Sequence, residues 1–279
     1  MSDFLRATGI LFEHQVTTGL RSKRFFFCLL LALLPVGFAF LLWQLVPAGE
    51  SPPVATFAWM LVAQLVLPIT SLVFGSAVIS EEASDRTVTF LFTRPIPRAS
   101  VLVGRWLACL VLVGLLLLIS SFGVASLLTL AFPEGVATGT VIELAAPMAG
   151  VMILGLAVYT AGFAALGTFF KHPMIIGIAY VFAIELFLGT IPVVGNLQKL
   201  AVQFHLRALL ADWGTAPWRT DGLFQSDAGT RATRDGLSPF AFGAVESGGE
   251  ALTVLLVSLV VLLGLGMRVL SRKQYELTA

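Results

Sequence analysis

The sequence has 279 residues, of which 57% are hydrophobic and 12% are charged, and its formal net charge at pH 7 is +1. An average soluble domain has about 25% charged residues, so this composition excludes a soluble globular protein and indicates a membrane protein. The near-zero net charge gives no argument for a nucleic-acid partner. Cys28 and Cys109 cannot form a disulfide framework, and a metal site needs more ligands than two cysteines.

Before the first apolar run, residues 1–24 have an amphipathic pattern. The apolar stripe at helical spacing consists of Leu5, Phe12, Val16 and Leu20. We predict a helix in the cytoplasmic interface of the membrane. Such a helix either borders a partner subunit or only anchors the chain, and the sequence leaves both readings open.

Six apolar runs are long enough to cross a membrane. Hydrocarbon about 30 Å thick needs about 20 helical residues, and uninterrupted runs without strict alternation favour helices over a barrel. The runs are approximately 25–46, 58–79, 101–132, 141–170, 174–194 and 251–270. We therefore predict an all-α integral membrane protein with six transmembrane helices in one domain. Five of these spans lie within residues 25–194.

The fourth run contains many small residues. Ala157, Ala161 and Ala165 recur every four residues, a spacing that lets helix backbones approach closely in lipid. We expect a central helix whose close contacts lie either within the chain or at a subunit interface.

Lys and Arg residues concentrate on one predicted side of the membrane. The loops 47–57 and 133–140 contain neither residue type. The basic residues of the opposite side are Arg6, Arg21, Lys23, Arg24, Arg86, Arg94, Arg98, Arg105, Lys171, Arg268, Arg272 and Lys273. The positive-inside rule then places both termini in the cytoplasm, as in a multi-pass protein of the cell (inner) membrane.

The segment 195–250 precedes the last span and is expected outside the cell, because basic residues in long loops count little for orientation. Residues 195–214 mix apolar and polar side chains as an amphipathic helix does, and we expect this helix along the outer membrane surface. An exposed loop follows to residue 250, and the role of the whole segment stays open. Residues 271–279 form a cytoplasmic tail.

Between the second and third spans lies the polar stretch 80–98. Glu82 and Arg86 stand four residues apart, the favourable order for a helical ion pair, and the acids crowd the start of a predicted helix over 81–93. Pro95 and Pro97 should stop this helix before the third span. A short helix held between two spans either transmits a partner's movement or only shields the membrane boundary.

A family pattern is visible in and after this stretch: paired acids, a Thr-led apolar run, Arg-Pro, a further Arg and a later Gly. The matching residues are Glu81, Glu82, Thr87, Leu91, Arg94, Pro95, Arg98 and Gly104. The stretch resembles the cytoplasmic connection after the second span in permease subunits of the type-2 ABC transporter family, where Lys is more usual than Arg105. The span count, the N-terminal helix and the long outer segment extend the resemblance over most of the chain.

The resemblance implies a membrane-spanning permease subunit of an ABC exporter. Two copies, identical or different, would assemble with an ABC-type ATPase subunit that binds ATP and magnesium, while this chain binds no cofactor. The polar stretch would act as a coupling helix that docks on the ATPase. The residues it assigns to this coupling are Glu81, Glu82, Asp85, Arg86, Thr87, Arg94, Pro95 and Arg98.

Glu185 lies inside the fifth apolar run. A charged side chain at mid-membrane costs roughly 2.5 kcal/mol or more, so this carboxyl group should face protein or a polar cavity. It either lines the transport path or binds a cation, or it caps a helix break implied by Gly189, Thr190 and Pro192. A proton- or cation-coupled carrier that uses Glu185 is therefore the alternative function.

Catalytic and metal-binding motifs are absent from the sequence. It has no P-loop and no HExxH, so we predict no enzyme activity and place ATP hydrolysis on a partner chain. His14, His172 and His205 fall in separate segments without ligand spacing. Ser120 and Ser121 have no neighbouring histidine in the sequence, which argues against an intramembrane hydrolase, the other rival.

Overall fold

A computed structural model describes residues 2–45, 58–84, 98–131, 141–170, 172–188, 198–214 and 247–272. All regular secondary structure in these ranges is helical. The α-helices are α1 (Ser2–Leu20), α2 (Lys23–Leu45), α3 (Leu67–Ser84), α4 (Arg98–Ala131), α5 (Val141–Phe169), α6 (Pro173–Tyr180), α7 (Val202–Trp213) and α8 (Gly248–Arg272). Two π-helical segments, π1 (Trp59–Val66) and π2 (Val181–Leu188), lead into α3 and continue α6.

Five helical segments are long and apolar enough to cross a membrane. They are Lys23–Leu45, Trp59–Val78, Ala99–Ala131, Val141–Phe169 and Gly248–Ser271. The remaining predicted span is a shorter apolar helix over Pro173–Phe187, and residues 189–194 of that run lie outside the described ranges. The all-helical membrane class is confirmed, whereas the count of six spans is not.

The N-terminal helix α1 is separated from α2 by only two residues. Ser22 Oγ donates to the Gly19 carbonyl at 2.7 Å and accepts from the Phe25 amide at 3.2 Å. One hydroxyl thus bonds a carbonyl at the end of α1 and an amide in the first turn of α2, and both groups also bond backbone atoms of Ser22. This arrangement fixes where α1 gives way to the first span.

The fourth predicted span, α5, lies at the centre of the described bundle and packs against α3, α4, α7 and α8. Glycines permit two of these contacts. A Cβ at Gly75 of α3 would lie 3.2 Å from the Thr160 carbonyl oxygen, and one at Gly155 would lie 2.6 Å from Leu206 Cδ1. The small residues of α5 therefore serve contacts within the chain, whatever they also do between subunits.

Helix α7 is buried, although the sequence predicts a helix along the outer membrane surface. Every residue from Gln203 to Leu210 is buried, and the helix packs against α5 and α8. The expected exposure is not found because the polar side chains of α7 meet protein groups instead of water. The side of the membrane that segment 195–250 occupies stays a prediction.

Close contact between α1 and α4 depends on Gly104. A Cβ at this position would come within 2.7 Å of the Thr8 carbonyl oxygen and 3.2 Å of Leu11 Cβ. Because the nearest atom belongs to the α1 backbone, a side-chain rotation cannot relieve the clash. The glycine of the family pattern thus has a packing reason in this chain.

We predict that Gly104→Ala forces α1 away from α4, at a cost of about 1–3 kcal/mol typical of overpacking. Thermal unfolding and hydrogen exchange of the α1 amides would measure it. Gly9→Ala is the matched control, since no atom lies within 4 Å of its added Cβ. Equal exchange in Gly104→Ala and the parent protein would contradict the packing role of this glycine.

Candidate functional site

The predicted coupling residues fall at a boundary of the described structure. Glu81 and Glu82 belong to the last described turns of α3, and Arg98 begins α4. The other predicted coupling residues lie outside the described ranges; they are Asp85, Arg86, Thr87, Arg94 and Pro95. The paired acids therefore continue a helix that starts at Leu67, and the prediction that they open a separate helix at Glu81 is wrong.

The reason is that the acids follow an apolar run without any helix breaker. Pro and Gly are the residues that end helices, and neither occurs between Ala77 and Ser84. The favourable interaction of acidic residues with a helix N-terminus is weaker than the tendency of an uninterrupted helix to continue. The pattern of charges alone could not distinguish the end of one helix from the beginning of another.

Arg105 joins the two spans that flank the connection. Its side chain is buried, and Nη1 donates to the Val78 carbonyl oxygen at 2.9 Å. One turn further along α4, Cys109 Sγ lies 3.7 Å from the Phe74 carbonyl oxygen. The two helices on either side of the connection are therefore joined directly by side-chain contacts. The sequence marked Arg105 only as a basic residue on the predicted cytoplasmic side and as an unusual choice at its position.

Glu185 occupies the second candidate site and is 4% exposed. Its Oε1 accepts from the Tyr180 hydroxyl at 2.8 Å and from the Val202 amide at 2.9 Å, while Oε2 accepts from the Gln203 amide at 3.1 Å. Val202 and Gln203 are the first residues of α7, whose amides have no carbonyl partner inside the helix. Ala201 precedes them and offers no side-chain cap. A carboxyl group from π2 therefore caps α7.

The two bonds to α7 concern backbone amides, as the helix-break reading of Glu185 requires. They belong to the first turn of α7. The predicted break at Gly189, Thr190 and Pro192 lies outside the described ranges, so a role of Glu185 in capping that break stays a prediction. A carboxyl group at a helix N-terminus also interacts favourably with the helix dipole.

Gln203 ties the same turn to the second span. Its Nε2 donates to the Ala63 carbonyl oxygen at 2.5 Å. Ala63 lies in π1 and Glu185 in π2, so the first turn of α7 is bonded to both π-helical segments. Such segments occur often at functional sites, because the irregular turn presents backbone groups that a regular helix would use internally.

Aromatic and charged side chains surround this turn. Phe163 stacks on Tyr159 with ring centroids 6.1 Å apart and meets the Tyr180 ring edge-on at 6.2 Å. The buried Tyr159 hydroxyl lies near Glu185 and Gln203 without a hydrogen bond of standard geometry. Burial lowers the pKa of the Arg207 guanidinium to about 10, and nearby Glu185 opposes that shift. Arg207 therefore remains positively charged at neutral pH.

The histidines and cysteines are scattered in the described chain. Within the described ranges, no three His, Cys, Asp or Glu side chains lie together as metal ligands would. His205 Nε2 lies 2.9 Å from the Lys199 carbonyl oxygen, and both cysteines are buried in helices without a disulfide. The described polar chemistry is thus concentrated at Glu185 and around Arg105.

We predict that Glu185→Ala destabilises the protein more than Glu185→Gln. The amide variant keeps one acceptor oxygen for the α7 amides, whereas alanine leaves buried donors unsatisfied at about 1–3 kcal/mol each. Thermal unfolding of the purified protein is the measurement. Glu250→Gln, at an exposed position in the first turn of α8, is the control. Equal stability of Glu185→Ala and the parent would contradict the capping role.

Comparison with known proteins gave a family match and no match to a curated protein. A family model described as ABC-2 family transporter protein matches residues 10–275, a range that contains the Arg105 contact and the Glu185 site. Members of this family are membrane components without catalytic activity of their own. The chain belongs to the ABC-2 transporter family, as a transmembrane permease of an ABC transporter.

Proposed function

We propose that this chain forms the membrane path of an ABC exporter that a separate ATPase subunit drives. Two permease copies, identical or different, would enclose the path in the cell (inner) membrane, with both termini in the cytoplasm. ATP and magnesium would bind to the ATPase, because this sequence contains no P-loop. Family membership over residues 10–275 is the observation that carries the proposal.

The geometry around Arg105 suggests how movement would enter the membrane. The connection between α3 and α4 would dock on the ATPase through Glu81, Glu82, Asp85, Arg86, Thr87, Arg94, Pro95 and Arg98. Packed helices move as bodies and do not deform continuously. The Arg105 bond to Val78 would then carry one displacement into both spans, and the Gly104 contact would carry it into α1.

Glu185 receives a positioning role in this proposal. Its hydrogen bonds go to two backbone amides and one tyrosine hydroxyl. A carrier that binds a proton or cation at Glu185 is the competing function, favoured by the burial of a carboxyl group inside an apolar run. The two differ in one respect: loss of transport by a stable, assembled Glu185→Gln complex would favour the carrier.

We expect Glu82→Ala combined with Arg94→Ala to weaken docking of the ATPase without unfolding the spans. The measurement is the amount of ATPase recovered with the purified permease, together with its ATP hydrolysis rate in nanodiscs. Glu250→Ala with Arg231→Ala removes the same charges from the segment before the last span and should leave recovery unchanged. Equal recovery in both pairs would contradict the docking role of the connection.

We expect Arg105→Met to loosen the junction of α3 and α4, because a hydrogen bond from a charged group contributes about 1.5–3 kcal/mol. Arg105→Lys keeps a cation and should restore much of the loss. Thermal unfolding, the amount of ATPase recovered with the permease and the ATP hydrolysis rate would be measured for both variants. If Met and Lys behaved alike, the hydrogen bond to Val78 would not be what joins the spans.

A further inference from the structure

A cleft of about 240 Å³ lies between α5 and α8, and α6 and α7 contribute to its wall. Gly162, Leu166 and Phe169 line it from α5, and Leu262 and Leu265 line it from α8. Neither the family description nor the coupling proposal gives this space a role. For comparison, an engineered protein cavity of about 150 Å³ binds benzene, so the cleft has room for a longer hydrocarbon.

Water is a poor occupant for this cleft. An ordered water needs about 2–4 polar partners. Tyr159 and Tyr180 supply the only polar side chains among the described lining residues. The Tyr159 hydroxyl is buried, and the Tyr180 hydroxyl already donates to Glu185. The lining therefore presents almost only carbon to whatever fills the space.

Two of the helices that line the cleft are candidate membrane spans, so we expect lipid beside it. Both α5 and α8 are long and apolar enough to cross the bilayer. Beside the cleft, Val261 and Leu265 of α8 are 50% and 44% exposed, and Phe169 of α5 is 48% exposed. Apolar side chains around the cleft are therefore exposed on a surface that a bilayer would cover.

We propose that the cleft binds one acyl chain of a membrane phospholipid. The bilayer itself supplies this occupant, and a free fatty acid has no advantage over it, because none of the described lining residues is charged to receive a carboxylate. A phospholipid keeps its headgroup at the membrane surface and inserts only hydrocarbon. The site is independent of the ATPase, so its test and that of the docking proposal can fail separately.

Gly162 allows the cleft to be filled. A Cβ there would lie 3.6 Å from Leu262 Cδ1, which is ordinary contact, so a longer side chain can extend into the free space. Gly150 stands on the same helix, is exposed, and has no atom within 4 Å of an added Cβ. Both glycines gain similar helix propensity from leucine, which makes Gly150→Leu a matched control for Gly162→Leu.

The test uses the full chain in nanodiscs that contain a phosphatidylcholine with a photoreactive diazirine midway along one acyl chain. After irradiation, mass spectrometry maps the lipid adducts. We expect adducts on the peptides around residues 158–169 and 262–265, their loss in Gly162→Leu, and their retention in Gly150→Leu. If Gly162→Leu does not fold, Leu265→Trp fills the cleft from α8 and should cause the same loss.

Three results would overturn the proposal. The first is equal labelling of these peptides in the filled variants and the parent. The second is labelling of the cleft peptides that is no stronger than labelling of the exposed side chains of α2, which would indicate only the surrounding lipid. The third is labelling of the cleft by a diazirine fatty acid but not by the phospholipid, which would assign the site to a different amphiphile.

Discussion

The capping of α7 by Glu185 is the interaction on which the buried position of that helix depends. A helix that starts inside protein presents amides that water cannot reach, and each unsatisfied amide is costly. Ala201 cannot cap them, so the carboxyl group of π2 does, and Tyr180 holds that group from the preceding turn. This cap allows α7 to lie buried against α5 and α8.

Two sets of contacts connect this cap to other helices of the bundle. Gln203 extends them to π1 of the second span, so a displacement of α7 would act on two different parts of the bundle. Phe163 connects them to the central helix through the rings of Tyr159 and Tyr180, and those two tyrosines also border the apolar cleft. The polar site and the proposed lipid site thus share walls, although one is built on hydrogen bonds and the other on hydrocarbon.

At the opposite end of the second span, different contacts join α3, α4 and α1. Arg105 and Gly104 are adjacent residues of α4, and they serve two neighbours: the guanidinium bonds the Val78 carbonyl, and the missing side chain admits α1. Three helices are therefore joined close to the connection that we propose as the docking point. Neither contact was visible beforehand, because the sequence pattern showed Gly104 and Arg105 only as positions shared with, or differing from, a family.

The sequence by itself determined which segments are helical and apolar. A chain in lipid must satisfy its backbone amides within the segment, so an apolar run of about 20 residues indicates a helix. It also marked Glu185 as a carboxyl group in need of partners. Only the tertiary structure decided that those partners are Val202 and Gln203, seventeen and eighteen residues away, and that α7 is buried. An amphipathic pattern states that a polar face exists, but it cannot distinguish water from a buried protein acceptor such as the Ala63 carbonyl oxygen, since both accept the same hydrogen bond from Gln203.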